Sequence, residues 1–111
     1  MSNPPKEIHV YKLPDGTCPY AEWFDSIKDK KTQSIIMARL FRVPLGLLGD
    51  CKSIGDDVSE LRIHYGSGYR IYFTIQKEVL VILLMGGTKS SQVKDINMAK
   101  RYKKSLEAQD E

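Results

Sequence analysis

Seven consecutive apolar residues, VLVILLM at positions 79–85, constrain this chain more than anything else in it. The run is strand length, and a strand apolar on both faces belongs inside a sheet with cover on each side. It follows VSELRIHYGSGYRIYFTIQKE, where apolar and polar residues alternate on both sides of Gly66-Ser67-Gly68. With those three residues as the loop, Tyr65 pairs with Tyr69, Ile63 with Ile71 and Leu61 with Phe73, all on one face. The other face then pairs His64 with Arg70, Arg62 with Tyr72 and Glu60 with Thr74. A slip of one residue would mix the faces, and the glycines supply the positive φ that such a loop needs. A second turn around Gln76 to Glu78 leads into the apolar run. Three consecutive antiparallel strands are expected, with the last strand's second face covered by the helix after Ser90 or by a partner chain.

Upstream, Ile8 and Val10 mark a first strand closed by Pro14-Asp15-Gly16. Thr17 is placed to cap a helix with Pro19 in its first turn. Tyr20, Trp23, Phe24 and Ile27 form the apolar stripe of that helix. Asp29-Lys30-Lys31 breaks it, and Thr32 is placed to cap a second helix carrying Ile36, Leu40 and Val43, which Pro44 and Gly46 end. So short a connection predicts an antiparallel helical hairpin. Residues 46–57, GLLGDCKSIGDD, read as a loop. Gly86-Gly87 ends the apolar strand, and Ser91 caps a last helix to about Ser105, whose weak stripe is Val93, Ile96, Met98 or Ala99, Tyr102 and Leu106. Residues 1–5 and 107–111 are expected to be disordered. The fold class is α+β, one domain over 1–111. An N-terminal strand and a two-helix hairpin pack on a sheet with three consecutive antiparallel strands, and a C-terminal helix follows.

The hydrophobic fraction of 41% is that of a globular protein. No apolar run is long enough to span a bilayer, and no leader marks export. Cys18 and Cys51, which match no metal spacing, are therefore expected as reduced thiols in a cytoplasmic protein. A net charge of +3 does not by itself imply a polyanion partner. Lys89, Lys94, Lys100, Arg101, Lys103 and Lys104 nevertheless crowd one segment against the single acid Asp95. That segment is either a solvated helix face or an electrostatic footprint for phosphate. The polar face of the hairpin carries Glu60, Arg62, His64, Arg70 and Tyr72. An ordinary solvated sheet face would more often carry Lys, Thr and Glu.

Between Glu60 and Asp95 the sequence combines E-L-R, G-x-G-Y-R-I-Y-F and G-G-x-K-S-S-Q in order at fixed spacing. In this it resembles the RelE/ParE superfamily of bacterial type II toxins, and most closely the HigB-like addiction module killer subgroup. The resemblance covers nearly the whole chain from the first strand onward. It implies a RelE-like fold and a toxin kept inactive by a cognate helix-turn-helix antitoxin, which would cover the arginine face or displace the last helix. It further implies entry into the ribosomal A site and cleavage of messenger RNA, with no metal, cofactor or membrane partner.

Metal-free cleavage of this kind uses the 2′-hydroxyl as nucleophile. Its proton must be removed, the phosphorane neutralised and the 5′-oxygen leaving group protonated or stabilised. Arg62 and Arg70 suit the phosphorane, because a planar guanidinium fork grips two phosphate oxygens. Lys89 stands where relatives carry a basic catalytic residue, as charge stabiliser or general acid, with Gly86 and Gly87 letting the backbone approach a phosphate. His64 and Glu60 are rival general bases. Tyr72 is placed to stack on a base or bond the 2′-hydroxyl, with Lys94, Lys100 and Arg101 as further RNA contacts. Several relatives place a tyrosine or histidine after the last strand, whereas this chain has neither before Tyr102. Two other functions stay open. The ParE branch shares the fold and poisons DNA gyrase, and an inactive phage-derived relative would only bind its antitoxin or RNA.

Overall fold

The apolar run sits inside a five-stranded sheet. In this computed structural model, which describes residues 6–109, the strands are β1 (Glu7–Val10), β2 (Cys51–Gly55), β3 (Val58–Ile63), β4 (Tyr69–Gln76) and β5 (Leu80–Thr88). Their spatial order is β1-β5-β4-β3-β2. β1 runs parallel to β5, Glu7 beside Leu80 and Val10 beside Leu83; all other neighbours are antiparallel. Helices α1 (Pro19–Ser26) and α2 (Lys30–Phe41) precede β2, and α3 (Gln92–Gln109) follows β5. The architecture is the expected α+β one.

β5 is covered from both sides. On one side Leu61, Ile63, Ile71, Phe73, Val81 and Leu83 meet Tyr20 of α1 and Ile36 and Leu40 of α2. On the other, Tyr72, Ile82 and Leu84 meet Tyr11 and the Ile96, Ala99, Tyr102 and Leu106 stripe of α3. The cover is therefore α3 and not a partner chain. Full burial of one such side chain stabilises by roughly 1.5–3 kcal/mol, and a helix as polar as α3 depends on that docking. Exposed apolar surface lies instead on the outer side of α2 and β1, where Phe41 is 71% exposed beside Met37 and Val10.

The hairpin register slides by two from the expected one. Ile63 faces Tyr69, Arg62 faces Arg70, Leu61 faces Ile71 and Glu60 faces Tyr72. The cause is loop length: the Gly68 N–H bonds the Tyr65 carbonyl at 2.9 Å, so the turn takes residues 64–68 and not three. Because the shift is even, every side chain between Glu60 and Phe73 keeps its face.

β2 occupies part of the segment expected as loop. Its side chains are exposed apart from half-buried Ile54, so no apolar alternation marks it. Asp56 and Asp57, at φ 56 and 60, turn it into β3, and Lys77 and Glu78, at φ 53 and 64, join β4 to β5. The first is a two-residue connection of the kind that suits strand twist, and the second takes three residues, Lys77 to Val79.

Helix ends differ by a few residues. Asp29, not Thr32, caps α2, accepting from the Lys31 N–H at 3.2 Å and the Thr32 hydroxyl at 2.8 Å. Cys18, not Thr17, stands at the α1 N-cap, with Pro19 first in the helix. Residues Val43–Leu45 add a 3₁₀ turn closed by Gly46. Thr88 and Ser91 form a capping box around the 3₁₀ turn Lys89–Ser91 that precedes α3. α3 continues to Gln109, so residues 107–109 are helical and not disordered, while 1–5 and 110–111 lie outside the described residues. Val93, expected in the docked stripe, is exposed.

Gly86 and Gly87 do not end β5. A Cβ on Gly86 would run into the Trp23 indole of α1, and one on Gly87 into the Asp95 carboxylate of α3. The pair lets a helix lie close on each face of the sheet. Gly86→Ala is expected to cost about 1–3 kcal/mol through overpacking, measured by urea denaturation. Emission from the single tryptophan should shift to the red as the indole is pushed outward.

Candidate functional site

Arg62 and Arg70 stand directly opposite each other on β3 and β4. Like charges so placed repel across a ladder, and Glu60, two residues along β3 on the same face, offsets the repulsion. Its carboxylate is 0% exposed and accepts Arg62 Nε at 2.9 Å. Arg70 Nε lies 3.6 Å from the other carboxylate oxygen, too far for a hydrogen bond. Gln92, the first residue of α3, donates Nε2 to both oxygens at 3.3 and 3.1 Å. Two guanidinium groups thus share one carboxylate beneath a helix. The Arg62 side chain is 27% exposed at the rim, whereas Arg70 is 8% exposed.

The same roof covers Tyr72, whose phenol is fully buried. Burial first, and then the charges of Glu60 and Asp95, push it well above the ordinary tyrosine range. The hydroxyls of Tyr72, Tyr11 and Tyr20 and the Arg70 Nε are buried without hydrogen-bond partners among the described residues. Tyr72 does not offer a base an open stacking surface while α3 is docked. Glu60, weighed as a general base, is buried under α3 with Arg62, Arg70 and Gln92 around its carboxylate.

α3 adds two residues that sequence reasoning missed. Gln92 grips Glu60, and Asp95 is buried over Gly87, accepting the Ser91 hydroxyl at 2.5 Å. Both read as ordinary polar positions of an amphipathic helix. The available signal was Gly86-Gly87, since paired glycines inside an apolar strand imply a close neighbour.

His64 and Lys89 lie outside the roof. Together with Tyr65, Gly66, Ser67 and Gly68 they line an open cleft at the β3–β4 loop. The Lys89 N–H bonds the Gly68 carbonyl at 3.1 Å, leaving its ammonium side chain exposed. His64 does not face Arg70, because Arg62 takes that place in the ladder. Its side chain is 70% exposed and its Nε2 meets Asp50 Oδ2 at 2.5 Å. That bond holds the Asp50 carboxyl below the usual carboxylate range. Arg39 fixes the same corner, donating to the carbonyls of Arg62 (2.6 Å), Leu48 (3.0 Å) and Asp50 (3.2 Å).

The other expected RNA contacts do not form one surface. Lys100 pairs with Asp56 at 3.6 Å and, with Arg101, borders a cleft that also holds Asp57 and Glu107. Lys94 is exposed nearer the start of α3. Lys103 is largely buried and pairs with Glu107. Cys18 and Cys51 are free. Among the described residues no three His, Cys, Asp or Glu side chains gather as a metal site requires.

Residues 22–109 match the family described as "Phage derived protein Gp49-like (DUF891)". A Haemophilus influenzae protein described as uncharacterized is 44% identical over 90 residues, covering 81% of this chain and 91% of that protein.

The Asp50–His64 bond has a pH signature. A carboxyl whose folded pKa lies below its unfolded value favours the folded state above the unfolded pKa, and that contribution is lost as pH falls through the folded pKa. His64→Ala is expected to return Asp50 toward the ordinary range, followed by NMR carboxyl titration. Stability of the variant should also fall less steeply with acid. An Asp50 titration unchanged in the variant means the bond does not form in solution.

Proposed function

The chain belongs to the phage-derived Gp49-like family, and we propose that it works as a RelE-like toxin of a type II toxin–antitoxin module, cutting messenger RNA on the ribosome without a metal. The observation that carries this reading is the direct pairing of Arg62 with Arg70. A structural purpose does not account for two like charges side by side in a buried ladder. Two adjacent planar forks fit the non-bridging oxygens of a phosphodiester and the charge that grows on its phosphorane.

The remaining roles follow from position. His64, at the mouth of the open cleft, takes the 2′-proton. The 2′-oxygen bonds to phosphorus, the bond to the 5′-oxygen breaks, and a cyclic phosphate and a free 5′-hydroxyl result. Lys89, which shares the cleft with His64, stabilises or protonates the departing oxygen. Glu60 and Gln92 position the arginines and touch no reacting atom. The substrate is messenger RNA in the act of translation, so the protein acts in the cytoplasm. Among the described residues no helix is long and apolar enough to cross a membrane. The inhibitor is a cognate helix-turn-helix antitoxin.

The pairing of both arginines with Glu60 favours one other reading, a toxin that acts by binding alone as the ParE branch does on DNA gyrase. Growth and transcripts separate the two. Induced expression should arrest growth with messages cut within translated frames. Arg70→Ala should relieve the arrest and lower ribosome-programmed cleavage by about 10²–10³-fold. Lys89→Ala, at an exposed position outside both apolar clusters, should act in the same direction without a folding defect. Arrest with intact transcripts, undiminished in both variants at equal protein levels, is the result that selects binding alone.

A further inference from the structure

We propose that Glu60 is an internal substitute for the substrate phosphate, seated between Arg62 and Arg70 at rest and exchanged for a phosphodiester as the first turn of α3 lifts. This rests on the reading of Arg62 and Arg70 as the phosphate grip, and it adds how that grip is kept closed.

The seat is built for an anion and Glu60 fills it incompletely. Its carboxylate bonds Arg62 Nε at 2.9 Å but stops 3.6 Å from Arg70 Nε, which stays buried without a hydrogen-bond partner among the described residues, as does the Tyr72 hydroxyl. A planar carboxylate anchored to β3 cannot reach both donors. A tetrahedral phosphodiester spreads its two non-bridging oxygens more widely and is free of the strand. The charges balance in favour of the exchange. Two guanidinium groups with Glu60 sum to one positive charge, and a monoanionic diester in its place leaves the same sum. The phosphorane, with one further negative charge, brings the seat to neutrality, so the gain falls on the transition state.

The latch is local. Gln92 ties the start of α3 to both Glu60 oxygens. The apolar docking of α3 begins only at Ile96, and Val93 faces solvent. In the first turn the side-chain bond that crosses to the sheet is Gln92 to Glu60; Ser91 to Asp95 is a bond within the start of the helix, whose Asp95 rests on Gly87. Raising the first turn leaves the apolar stripe in place. The displaced carboxylate also has somewhere to go. Lys52 on the edge strand β2 is the direct cross-strand neighbour of Glu60, is exposed, and shares its face because opposed residues of a ladder point the same way.

The simpler alternative is that Glu60 only aims the arginines, and it predicts an effect of opposite sign. The probe is an RNA oligonucleotide carrying 2′-deoxy sugars, which binds without being cut, read by fluorescence anisotropy. Glu60→Gln should bind it about tenfold more tightly than the wild type, one decade of affinity, and sulfate should raise the melting temperature of the variant more than that of the wild type. Gln92→Ala should shift affinity in the same direction by a smaller factor. Asp25→Asn, the same charge change on exposed α1, should leave affinity unchanged. Affinity equal or weaker in Glu60→Gln overturns the exchange, and if that variant does not fold, equal or weaker affinity in Gln92→Ala does so. Tighter binding by Glu60→Gln with no cleavage by the wild type on ribosomes supports the exchange and removes the nuclease reading. Wild-type cleavage with weaker binding by Glu60→Gln does the reverse.

Discussion

Glu60 joins three parts of the molecule that would otherwise repel or drift. It sits on β3, takes Arg62 from its own strand, draws on Arg70 from β4 and is gripped by Gln92 from α3. Burying three charged groups together is a poor way to gain stability, and removing the anion from such a cluster costs about 3–5 kcal/mol because the cations are left unpaired. The offset comes from the two apolar layers on either side of β5. Those layers let the end of the sheet near the β3–β4 loop hold an arrangement that its own contacts would not sustain.

The layers also explain what could be read from the residues alone. The VLVILLM run had to be internal, and the alternation in β3 and β4 had to divide inside from outside. Both follow from periodicity and survive a wrong pairing, since the actual register is two residues away and parity is kept. Other features left no such trace. β2 has too little apolar content to mark it, and its position depends on pairing with β3. The Asp56-Asp57 and Lys77-Glu78 turns adopt positive φ at residues that are not glycine. Thr32 looked like a cap, but Asp29 three residues earlier accepts from both the backbone and the Thr32 hydroxyl itself.

The candidate site divides along similar lines. That Arg62 and Arg70 share a face with Glu60 and Tyr72 was legible, because it depends only on strand parity. That this face lies under a helix was not, because the α3 stripe is weak by composition and wins its place only by docking. His64 does not pair with Arg70 as expected because it lies just beyond the last paired residue of β3, where loop length sets the partner. Lys94, Lys100 and Arg101 looked like one footprint in the linear sequence, and helical geometry spreads them around α3, where Asp56 and Glu107 already meet part of the charge.

The parallel pairing of β1 with β5 imposes an order on assembly in the cell. A polypeptide emerging from the exit tunnel displays β1 long before its neighbour exists, and a contact between residues so far apart in the chain is slow to form. The β3–β4 hairpin is local and closes early. There is thus an interval during synthesis when both arginines are already side by side while the covering helix has not yet emerged to dock. In that interval the charge of the pair is met from within the hairpin by Glu60, without the tie that Gln92 later brings from α3.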